Sequence, residues 1–165
     1  YNGINDKASH AYGGRRTART GTMYSTGGCA YVYLCYGIHS LFNVVTGKKD
    51  HPQAVLNRAI QPVEGIDIMK KRRKMNSTTR NFSNGPGKVC EALGIHFSHS
   101  GISLVGQLIW IENRGLIIEN HNLQITPRIG VDYAAEDALL PYRFVLNEEI
   151  KPSTHPPSGT GSRKK

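Results

Sequence analysis

The chain has 165 residues, a formal charge of +9 and 38% hydrophobic residues. That is the length of one domain with an ordinary core, and no run approaches the roughly 20 apolar residues that a membrane-crossing helix needs. Three cysteines without a C-x-x-C pair argue against a disulfide framework and for buried free thiols in a reducing compartment.

The opening residues are polar, with no basic region ahead of an apolar block, unlike a secretory signal. Residues 13–29, rich in Gly, Thr and Arg, read as a basic loop. Next comes AYVYLCYGIHSLFN (30–43), whose alternation puts Tyr31 and Tyr33 on one face and Val32, Leu34 and Tyr36 on the other. Tyr36-Gly37 is the natural turn, so the segment reads as a β-hairpin with an aromatic tip. An exposed ring at a turn forgoes burial, and in a basic protein the first partner to test is a stack of nucleobases.

Gln53 to Ile60 reads as a strand ended by Pro62, and Gly65 to Met75 as a helix with Ile66, Met69 and Met75 inward and Lys70 to Lys74 outward. A polar linker leads to NGPGKVCEALGI, where Pro86 opens a helix and Gly94 caps it. Strands are expected in 102–113, at Leu116 to Ile118, Arg128 to Val131 and Arg143 to Leu146, with a short helix over Tyr133 to Leu140. Residues 151–165 have the composition of a disordered basic tail behind a single domain over 1–150. The fold expected is mixed α/β of the α+β kind: a curved antiparallel sheet, a protruding hairpin and a few surrounding helices.

Residues 1–100 hold 14 Lys/Arg against 5 Asp/Glu, whereas 101–165 hold 7 of each. The positive excess lies with the aromatic hairpin, which suits a polyanion partner held in a salt-dependent way. His96 and His99, three apart, have no supporting Cys or carboxylate cluster and read as a loop pair, so no metal site is expected. Gly85-Pro86-Gly87-Lys88 is too short for a nucleotide-binding loop and fits a DNA-backbone contact or simple capping.

Six ordered segments together carry a resemblance: YNGINDKASHAYGGRRTART, AYVYLCYGIHSLFNVV, AVLNRAIQP, NGPGKVCEALGI, RIGV and PYRFV. Over roughly Tyr1 to Leu146 the chain resembles the alkyladenine (3-methyladenine) DNA glycosylase family. The resemblance implies a monofunctional base-excision enzyme that flips alkylated or deaminated purines and hydrolyses the N-glycosidic bond. It implies Tyr1, His10, Tyr33 and Asn43 around the flipped base, Tyr36 as the wedge in the minor groove, and Arg58 at the target phosphate and the attacking water. Tyr31 stays a core residue, and Arg19, Arg73 and Lys88 are the candidate DNA-backbone contacts.

Base flipping costs a few kcal/mol, which a wedging side chain and ring stacking offset. An electron-rich pocket also attracts a base made cationic by alkylation. In the family the water is activated by a glutamate two residues before the tyrosine that matches Tyr1. The sequence begins at Tyr1, so a truncated first strand and a general base upstream of the chain are expected. Ile38 and His39 depart from better-known members. No cofactor is expected, and the partner is double-stranded DNA with damaged purines, bound by a monomer in the cytoplasm or nucleoid of a bacterium or the nucleus of a eukaryote. Two alternatives are a non-catalytic module for damaged DNA and an RNA-binding structural protein.

Overall fold

A computed structural model describes residues 1–79 and 81–147. The expected tail, 151–165, lies outside the described residues.

Alternation in the hairpin sets the central sheet. Strand β1 (Ala30–Cys35) pairs antiparallel with β2 (His39–Val45), Tyr31 opposite Asn43, Val32 opposite Phe42 and Tyr33 opposite Leu41. Strand β3 (Ala54–Leu56) pairs with the far side of β2, leaving β2 in the centre. One face buries Val32 and Phe42 against Cys90, Ile95 and Leu104. The other buries Tyr31 and Val45 against Ala11, Met23, Tyr24 and Ala54, with Tyr33 half-buried at its margin. The hairpin is thus two-sided: one face is ordinary core, and the other carries rings toward a cleft.

Helices α1 (Ile66–Arg73) and α2 (Pro86–Leu93) pack together, and α2 lies on the Phe42 face. Helix α2 has its proline at the start and ends at Gly94, whose φ of +71° is a left-handed cap open to glycine at little cost. Strands β4 (Leu123–Thr126) and β5 (Arg143–Leu146) form a separate antiparallel pair. The fold is α+β, with several short 3-10 turns, including the expected short helix, here Asp132–Leu139. Among the described residues no helix is long and apolar enough to cross a membrane.

Several local expectations need correction. The strand expected over Gln53 to Ile60 survives only as Ala54–Leu56, because the Asn57 N–H takes the last bond, to Phe42, before the chain turns away. Arg128 to Val131 is not a strand: Gly130 has φ +75°, the Arg128 side chain turns inward, and Val131 packs on Ala8. Leu116 to Ile118 forms no ladder, and 102–113 keeps only isolated bridges, Cys29 with Ser103 and Val105 with Trp110. Nor is the basic run of α1 wholly outward, since Arg72 donates to the Ala92 carbonyl and Arg73 turns onto Glu91 and the Phe82 carbonyl.

Candidate functional site

The cleft opens on the Tyr31–Tyr33 face of the sheet. It is lined by Tyr1, Ala8, His10, Met23, Tyr31, Tyr33, Asn43 and Ala54, which close on a narrow space of about 10 Å³, room for about one water. Four residues expected around a base, Tyr1, His10, Tyr33 and Asn43, are therefore brought together from three segments. Main-chain pairing explains the arrival of Tyr1: Ala54 donates its N–H to the Tyr1 carbonyl at 3.2 Å, and Asn2 bridges to Gln53.

His10 meets the Tyr33 ring edge-on, centroids 4.6 Å apart, and its Nδ1 lies 2.9 Å from the Tyr31 hydroxyl. Its Nε2 faces Arg19 Nη2 at 3.3 Å. Arginine only donates, so Nε2 accepts and the ring proton sits on Nδ1, which donates to Tyr31. Burial, then the positive charges of Arg19 and Arg15, push the His10 pKa down to about 4, so the ring is neutral at pH 7. Burial likewise pushes the Tyr31 hydroxyl up to about 12 and raises those of Tyr33 and Tyr1. The lining is thus uncharged and rich in π faces.

Asn43 is buried on β2 and donates Nδ2–H to the carbonyls of Tyr31 (3.2 Å) and Leu41 (3.3 Å). Two carbonyl partners fix the amide orientation, and the side-chain oxygen is left without a protein donor among the described residues. The amide therefore brings an acceptor to the cleft.

Tyr36 stands at the hairpin tip, 92% exposed, with φ +51° beside Gly37 at +73°. Positive φ at both turn centres matches the right-handed twist of the strands, as in a type I′ turn, and Ile38 N–H closes it on the Cys35 carbonyl. A tyrosine there is strained by about 1–2 kcal/mol relative to glycine. Packing does not hold the ring in, so the turn displays it.

Arg58 is not in the lining; its charge offsets only in part the rise that burial gives the Tyr1 hydroxyl, and its Nη1 donates to the Ile129 carbonyl at 3.2 Å. Lys88 donates to Asn84 at 3.0 Å and Asn81 at 3.5 Å, near the start of α2. Arg73 is paired with Glu91, so reaching a phosphate would require breaking that pair. Arg19 is not splayed outward. Its guanidinium lies 4.8 Å from the centre of the Tyr33 ring.

No carboxylate lines the cleft among the described residues. Asp6, near Tyr1, is fully engaged: Arg128 grips it with two bonds (2.7 and 2.9 Å), and the N–H groups of Asn2 and Ala8 donate to it. Burial alone would raise its pKa, but the Arg128 bonds and the two backbone N–H groups hold it below the usual range. Arg128 also lies over the rings of Tyr1 (5.4 Å) and Tyr142 (5.3 Å). This buried pair sets the floor beneath Tyr1. Nothing in RIGV marks a role for Arg128, because its partner is 122 residues away. His96 and His99 cap a 3-10 turn, the His96 N–H donating to His99 Nδ1 at 3.1 Å.

The family model described as methylpurine-DNA glycosylase matches residues 1–150. A protein of Chlamydia felis, named as a 3-methyladenine DNA glycosylase, is 49% identical over 148 residues, covering 89% of this chain and 75% of its own length. One of Bacillus mycoides with the same name is 46% identical over 152 residues, covering 87% and 74%.

Proposed function

Since the chain belongs to the methylpurine-DNA glycosylase family, we propose that it binds double-stranded DNA, flips alkylated or deaminated purines and hydrolyses their N-glycosidic bond, leaving an abasic site. The observation that carries this reading is the uncharged cleft formed by Tyr1, His10, Tyr33 and Asn43 next to a hairpin tipped by an exposed Tyr36. A base can enter such a cleft only after leaving its stack, and the wedge fills the gap it leaves. Stacking on the rings tolerates different purines, worth roughly 1–3 kcal/mol per base. A cationic alkylated base gains further from the π faces.

Water attacks C1′ through an oxocarbenium-like transition state, the sugar chemistry common to glycosidic hydrolysis. Arg58 is proposed to hold the target phosphate, with Lys88 and Arg19 on neighbouring ones, and to steady the water beside Tyr1. The water-activating carboxylate is proposed at the position two before Tyr1.

The test is flipping itself. A duplex with hypoxanthine next to 2-aminopurine should brighten on binding, as unstacking relieves quenching, and Tyr33→Ala should abolish most of the signal. No brightening with the parent protein would overturn the base-flipping reading.

A further inference from the structure

Arg19 lies against Tyr33 and His10, two of the residues that line the cleft. Its guanidinium carbon sits 4.8 Å from the Tyr33 centroid, and Nη2 reaches His10 Nε2 at 3.3 Å. Its positive charge is also felt by the Tyr31 hydroxyl, which His10 Nδ1 contacts. One side chain thus covers the Tyr33 ring and the acceptor nitrogen of His10. A guanidinium is flat, cationic and edged with N–H donors, and it stacks on aromatic faces. A purine uses the same two features, a π face and polar edges.

The loop bearing Arg19 is pinned. Thr20 is buried; its hydroxyl donates to the Arg15 carbonyl at 3.1 Å and accepts the Thr17 N–H at 2.8 Å. The Tyr24 hydroxyl donates to the same Arg15 carbonyl at 3.1 Å. Arg19 is nonetheless an exposed residue. Moving the guanidinium off Tyr33 and His10 therefore requires rotation of one side chain, with no opening of the loop.

We propose that Arg19 is a specificity-determining residue: it plugs the base cleft of the free protein, and its eviction is offset only when the base arrives on a DNA backbone. This rests on the base-flipping reading. Displacing the guanidinium loses its contacts with Tyr33 and His10. In DNA the freed guanidinium pairs with a phosphate of the same strand, a charge-assisted bond that replaces them. A free purine brings no phosphate. The plug thus favours a base in DNA over loose purines, the released product among them.

The experiment compares the parent protein with Arg19→Leu and Arg19→Lys, by equilibrium binding of free 3-methyladenine and, separately, of an undamaged duplex. Arg19→Leu should bind free 3-methyladenine about three- to tenfold more tightly, the factor one lost cation–π contact represents. The same variant should bind duplex more weakly, so the two affinities move in opposite directions. Arg19→Lys keeps the charge without the flat fork, and should retain duplex affinity while binding free base more tightly than the parent. Equal free-base affinity in parent and Arg19→Leu overturns the plug and leaves the cleft reading standing. If no form takes up 3-methyladenine, the cleft reading falls and the plug with it.

Discussion

At the scale of single residues, the cleft depends on groups kept neutral or fully paired. His10 is held as an acceptor by burial and by Arg19 and Arg15, its pKa down from 6.5 to about 4. The neutral ring is favoured by folding, so its share of stability is complete above pH 6.5 and is lost as pH falls toward 4. His10→Gln should flatten the dependence of stability on pH between those values, which urea unfolding at a series of pH values would detect; an unchanged slope would place the titration elsewhere. Asp6 works in the same direction, because its lowered pKa makes its pairing with Arg128 fail in acid. Asp6→Asn leaves the Arg128 charge buried without its partner and should cost about 3–5 kcal/mol in urea unfolding. A cost under about 1 kcal/mol, the range of surface ion pairs, would show the pair to be dispensable.

At the scale of elements, the hairpin and α2 were legible in the sequence for local reasons. Period-2 alternation assigned Tyr31 and Tyr33 to one face, and Pro86 and Gly94 punctuated the helix. The Asp6–Arg128 pair, the inward turn of Arg73 and β4 were not legible, because each depends on a partner far along the chain or on side-chain direction. RIGV looked like a strand by its apolar residues, yet Arg128 is used as a buried cation and Gly130 bends the backbone. The members of the cleft were read from the family resemblance; the lining by Ala8, Met23 and Ala54 left no signal, since small and apolar residues are common everywhere. The turn at Tyr36 carries its own prediction. Asn tolerates positive φ better than Tyr, so Tyr36→Asn should leave stability equal or up to about 1 kcal/mol higher while reducing flipping. Unimpaired 2-aminopurine brightening by this variant would remove the wedge assignment.

At the scale of the whole molecule, the charge is divided along the chain: the first 100 residues carry the whole positive excess and contain the cleft, the hairpin and α2. Counterion release then requires duplex affinity to fall steeply with salt, log K against log salt sloping by about −0.9 per phosphate neutralised. Substituting Lys88 by Ala should reduce that slope by about 1 if its ammonium meets a phosphate. The central claim is that the cleft serves the removal of a base, and the most direct measurement is base release from methylated duplex DNA by the full-length protein. The expected result is free 3-methyladenine and an abasic site in an unbroken strand. Methylated duplex recovered with every base still attached would contradict it.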